Sequence, residues 1–114
     1  MSPINKKKLD LLREKLDLID NDLLKLIKKR SSLVNDVLKV KIYKKEIIDK
    51  KRISTILKKI KKKSIKLKID PKITNRIWKN MIWSYIDFER RIFKKKIITY
   101  YEEEVFSQQK LHAF

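Results

Sequence analysis

The sequence contains no glycine, and its only prolines are Pro3 and Pro71. Glycine supplies the positive φ, and proline the fixed φ, on which tight turns depend; both also interrupt helices. A chain of 114 residues nearly without them is confined to long helices and few connections. That length suits one domain. Cysteine is absent, so neither a disulfide nor a thiolate metal site can form. The one histidine, His112, lies near the C-terminus and reads as a tail residue. No apolar run is long enough to span a bilayer and no secretory apolar segment is evident, so a cytoplasmic protein with no membrane partner is expected.

The formal charge is +18, with 32 Lys and Arg against 14 Asp and Glu. Such a balance ordinarily points to nucleic acid or an anionic surface. Here the excess is almost all lysine, spread over every segment and accompanied by abundant isoleucine. A strong A+T bias in the coding sequence produces that pairing, and it is the preferred explanation. A basic helical dimer gripping nucleic acid through Lys61–Lys63 and Lys94–Lys96 is the alternative. No helix-turn-helix signature or aromatic platform supports it, and no specific nucleic-acid partner is expected.

Apolar periodicity places three helices. The first runs from about Ile4 to Tyr43, with Ser2 as N-cap and Pro3 at its first position. Leu12, Leu16, Ile19, Leu23 and Leu26 recur at steps of four and three, forming one stripe. A helix of that length spans on the order of 60 Å, more than the diameter of a compact domain of this size. One chain cannot cover the stripe, and a second copy is the simplest cover, so an obligate homodimer is expected. Residues 44–48 read as a connection. A second helix follows from about Asp49 to Leu67, its apolar face made by Ile53, Ile56, Leu57 and Ile60. Asp70 and Pro71 start a third helix, as N-cap and first-turn residue. It is expected to end near Lys95, with Trp78, Met81, Ile82, Tyr85, Phe88 and Ile92 on one side. Residues 1–95 form the helical domain, and residues 96–114 are a tail to which the pattern assigns no structure.

Polar residues on apolar stripes carry the functional information. With Leu12 at zero on the helical projection, the leucine stripe stays within about 40°, and Arg30 and Lys41 fall within about 20° of zero. Cations on a leucine face are costly unless paired. Either an anionic ligand is held within the bundle, or Arg30 pairs with a carboxylate from another helix and Lys41 reaches back to water. Six arginines stand in this lysine-rich chain: Arg13, Arg30, Arg52, Arg76, Arg90 and Arg91. The planar guanidinium fork binds carboxylates through two hydrogen bonds, which lysine cannot do. Arg90 and Arg91 also fit plain surface charge. Glu89 lies about 30° from Trp78 and Tyr85, within the apolar stripe of the third helix. Its carboxyl is either paired with a cation or protonated.

The run from Leu9 to Ile27, with Leu9, Leu12-Arg13, Leu16-Asp17, Ile19-Asp20, Leu23-Leu24 and Leu26 in register, resembles the opening of the all-helical chorismate mutases. The resemblance continues through Arg30, Leu33-Val34, Val37 and Lys41. It takes in Asp49-Lys50-Lys51-Arg52, then Ile69-Asp70-Pro71 and Arg76-Ile77-Trp78-Lys79-Asn80-Met81-Ile82. It covers about residues 8 to 93, and its specificity lies in several separated motifs agreeing in order and spacing. It implies an all-α, three-helix chain in an intertwined homodimer, and a cofactor-free isomerase of the shikimate pathway. That enzyme rearranges chorismate to prephenate for aromatic amino-acid biosynthesis.

Carried over by position, the resemblance implies that Arg30 and the partner's Arg13 clamp the two substrate carboxylates. Lys41 and Glu89 face the ether oxygen. Asp49 and Arg52 hold the hydroxyl end and organise the loop. No metal is implied. Two positions depart from the pattern. Ile53 stands where the family usually has Glu, and Tyr85 where it usually has a small residue beside the substrate. Both departures resemble the isochorismate-pyruvate lyase branch of the same fold, which is the alternative activity.

Overall fold

The computed structural model describes the backbone of residues 1–40 and 48–112 and the side chains of residues 1–40 and 48–94. Three helices make up the described chain: α1 (Pro3–Val40), α2 (Lys50–Lys66) and α3 (Pro71–His112). The all-α class expected from the missing glycines holds, with no strand among the described residues. By contact the chain divides into two units, residues 1–37 and 38–114.

Each helix starts where a short polar side chain offers its oxygen to free backbone N–H groups. The Ser2 hydroxyl accepts from the Asn5 N–H at 3.2 Å, and Pro3 is the first helical residue. The Asp49 carboxylate accepts from the Arg52 N–H at 2.9 Å and starts α2. The Asp70 carboxylate accepts from the Lys72 N–H at 2.9 Å and starts α3 at Pro71. The expected first helix reached Tyr43; α1 is described to Val40, and the remainder, with the 44–47 part of the connection, lies outside the described residues.

The third helix differs from expectation. It continues past Lys95 to His112, so residues 96–112, to which the pattern assigns no structure, are helical. The reason is local. No glycine or proline follows Pro71, and the added stretch contains Glu102-Glu103-Glu104 and Gln108-Gln109-Lys110-Leu111, all good helix formers.

The second unit has its core between α2 and α3. Ile82 and Ile86 are buried, and Ile48, Ile53, Ile56, Leu57 and Phe93 pack against them. The expected apolar face of α2 is therefore inward. On α3 the expected stripe is right but too narrow. Ile86, one turn after Ile82, is among the most buried residues of the chain. Leu38, in the last turn of α1, is 1% exposed and belongs to this same unit.

The α2–α3 corner is fastened by two hydroxyls. Ser64 and Thr74 are both buried, and their side-chain oxygens lie 2.7 Å apart. The Ser64 hydroxyl donates to the Ile60 carbonyl at 2.6 Å, so the Thr74 hydroxyl is the donor between the pair. The chain reverses through a Schellman arrangement. The Ile69 N–H donates to the Ser64 carbonyl, and the Lys68 N–H to the Ile65 carbonyl. Lys68 takes the left-handed position, with φ of 58°. Glycine normally fills it, because a Cβ costs roughly 1–2 kcal/mol there.

Two outcomes follow for stability, each read by urea or thermal unfolding. Lys68→Gly stabilises the protein by roughly 0.5–1 kcal/mol, because relief of the Cβ clash exceeds the added freedom of the unfolded chain. An unchanged or lowered midpoint contradicts this account of the turn. Ser64→Ala costs about 1–3 kcal/mol by removing the near partner of the Thr74 hydroxyl and leaving it only the 3.4 Å contact to the Pro71 carbonyl, and adding Thr74→Val costs less than the sum of the two single changes.

Candidate active site

The residues singled out from the sequence are placed unequally by the structure. On α1, within the first unit, Arg13 is exposed and Arg30 is half-buried. Leu9 and Arg30 alone among the first thirty residues escape the exposed class. Arg30 opens a stretch of α1 in which Ser31 and Val34 are half-buried as well. Lys41, the second cation of this face, lies outside the described residues.

In the second unit, Asp49 and Arg52 stand at the start of α2. Both side chains are exposed, and the Asp49 carboxylate is engaged with the Arg52 backbone N–H rather than shown pairing with its guanidinium. The sequence Asp-x-x-Arg thus has a structural use as a cap, since one carboxylate oxygen satisfies a free N–H of the first turn. That use leaves the guanidinium able to meet an anion.

On α3, Tyr85 is half-buried and Glu89, one turn later on the same face, is 6% exposed. A carboxyl so deeply placed is costly without polar partners, and Glu89 has them: no buried side-chain N or O atom among the described residues is orphaned. Glu89 therefore combines an apolar stripe, burial and a satisfied polar head. By contrast, Arg91 is surface charge. It forms a 3.6 Å pair with Asp87, one turn earlier, and both side chains are about 70% exposed. Arg90 and Arg76 are exposed as well.

Ile53, one of the two departures from the family pattern, packs against the Ile82–Ile86 core. An aliphatic side chain there strengthens the hairpin and offers no acceptor to a substrate hydroxyl. Sequence periodicity did not single out Ser64, Thr74 or Ile86. The hydroxyl pair carries no spacing signal, because its partners lie on different helices and meet only in the fold.

Among the described residues no group of His, Asp or Glu is arranged to hold a metal ion, and no helix is long and apolar enough to cross a membrane. No curated protein and no solved structure matches the chain. A family model does, that of chorismate mutase type II, over residues 12–90. The matched span is more than half of the chain and contains Arg13, Arg30, Lys41, Asp49, Arg52, Tyr85 and Glu89. With α1, α2 and α3 in the order the motifs required, the chain belongs to the type II chorismate mutase family.

Proposed function

We propose that the protein is a chorismate mutase, acting as a cofactor-free homodimer. The observation that carries this reading is the family match, which spans every residue of the expected substrate clamp from Arg13 to Glu89. The partly covered Arg30 and the buried Glu89 support it from the structure.

The reaction is an intramolecular rearrangement. The ether C–O bond breaks as a new C–C bond forms, atoms are conserved, and no nucleophile is needed. The enzyme's work is to hold the substrate in its compact conformer and to meet the charge that develops on the ether oxygen. Arg30 and the partner's Arg13 grip the two carboxylates, which brings the reacting carbons together. Lys41 places a cation at the ether oxygen. Glu89 faces the same oxygen. Asp49 and Arg52 hold the hydroxyl end.

The homodimer is supported by α1. Leu12, Leu16, Ile19, Leu23 and Leu26 are all between 50% and 61% exposed in the single chain. An apolar stripe of that length on a helix of 38 residues requires cover, and a second α1 presents a matching stripe. A cytoplasmic location fits an enzyme of this class.

The lyase reading is favoured by Ile53 and Tyr85. Ile53 removes an acceptor for the substrate hydroxyl, and Tyr85 fills space beside Glu89. One assay separates the readings: the purified chain is given chorismate and isochorismate in parallel, and prephenate, pyruvate and salicylate are measured. Prephenate from chorismate at the higher kcat/KM is expected; pyruvate with salicylate at the higher kcat/KM identifies the lyase, and no product from either overturns both. Arg30→Ala lowers kcat/KM by on the order of a thousandfold, as loss of a preorganised charge contact does. Lys63→Ala, an exposed change on α2, leaves it unaltered. Glu89→Gln keeps most of the activity because its amide donates a hydrogen bond to the ether oxygen, whereas Glu89→Leu loses it.

A further inference from the structure

A groove of about 710 Å³ runs along the α2–α3 pair within the second unit. It shares Ile53 with the positions discussed for the mutase reaction, but Asp49, Arg52, Tyr85 and Glu89 do not line it. Ser54 lines it and Arg52 does not; the two stand about 160° apart around α2. On α3 it is lined by Trp83, which lies about 160° from Tyr85.

The floor is apolar, formed by Ile48, Ile53, Leu57 and Trp83. Trp83 is 53% exposed, an unusual position for an indole that packs against nothing foreign. The polar groups are not evenly placed. Ser64 on α2 meets Thr74 on α3, which fixes the two helices as antiparallel and sets Lys61 of α2 near Lys72 and Asn75 of α3. Lys58 lies one turn further along α2. Three of the four described lining lysines are thus at the end where α3 begins, and among the described residues no carboxylate lines the groove. That end also carries the positive pole of α3. The opposite end holds Trp83, Ile48 and one lysine, Lys50. From Ile48 to Lys61 the lining follows roughly 20 Å of chain, so the groove is elongated, with a cationic head and an apolar body.

We propose that this groove binds a single-chain amphipathic anion, a fatty-acyl carboxylate or an alkyl phosphate. The head group sits among Lys58, Lys61, Lys72 and the Asn75 amide, and the chain lies over Leu57 and Ile53 toward Trp83. The volume falls in the range of small-molecule sites, about 300–1,000 Å³. Charge and shape select the class together. A small inorganic anion leaves the apolar floor uncovered, and a neutral hydrocarbon leaves the lysines unmatched.

The test reads binding alone and is independent of any mutase activity. Dodecanoate is titrated into the full-length chain, with Trp83 fluorescence and calorimetry as readouts and Trp78 accounted for by a Trp83→Phe variant. Saturable one-to-one binding is expected, with at least about tenfold weaker binding of dodecanol and of acetate. A Lys58→Glu, Lys61→Glu, Lys72→Glu variant that keeps its helical circular dichroism weakens dodecanoate at least about tenfold and leaves dodecanol unchanged. Non-saturable uptake, equal binding of dodecanol, indifference to the charge reversals, or binding only to anionic lipid vesicles overturns the proposal. Dodecyl phosphate in place of dodecanoate then decides between the two head groups.

Discussion

The structure depends on one constraint: a helix of 38 residues carries an apolar stripe that its own chain leaves exposed. Burying a leucine or isoleucine side chain contributes about 1.5–3 kcal/mol. The five stripe residues from Leu12 to Leu26 already span 50–61% exposure, so covering them yields a gain on the order of several kcal/mol. Whole domains are stable by only about 5–15 kcal/mol. In the proposed homodimer, association completes the burial that a single chain leaves undone. The proposed dimer bears on function as well, because the stripe carries Arg30, and a face buried against a second copy has a lower local dielectric around that cation.

The second unit shows how little core such a chain needs when its corner is well made. Among the described residues, the buried apolar side chains between α2 and α3 are Ile82 and Ile86. The Ser64–Thr74 hydroxyl pair and the turn at Lys68 supply the geometry that those few contacts reinforce. The absence of glycine has a visible cost here, since a lysine occupies a left-handed position suited to glycine. Lysine also dominates the exposed surface of α2, where Lys58, Lys59, Lys61, Lys62 and Lys63 follow within six positions. Their mutual repulsion is relieved by salt or by an anion.

Much of the fold was legible because its signals are local. Ser2 and Asp70 cap helices at the positions where cap residues stood next to apolar runs, and Pro3 and Pro71 begin them. Ile53, Ile56, Leu57 and Ile60 turned inward as their spacing required. The far end of α3 was not legible, because apolar periodicity weakens after Ile92 while helix propensity does not. Ile86 was missed because the buried arc on α3 is wider than the stripe through Trp78 and Tyr85. Of the candidate site, the burial of Glu89 and the partial cover of Arg30 were foreshadowed by their places on apolar stripes. The capping use of Asp49 was not foreseen beside its expected substrate role, since the same Asp-x-x-Arg spacing serves both. The lysine-headed groove could not be read at all. Its lining comes from two helices, and in a chain this rich in lysine no single lysine stands out.

The central claim is that two chains complete each active site, with one arginine crossing from the neighbour. Subunit mixing tests it directly. Arg13→Ala and Arg30→Ala chains, each inactive alone, are unfolded together, refolded and assayed for prephenate. If Arg13 serves the opposite site, every mixed pair contains one intact site, and statistical pairing restores on the order of a quarter of the parental activity. If both arginines act within one chain, or if no dimer forms, the mixture stays as inactive as its components.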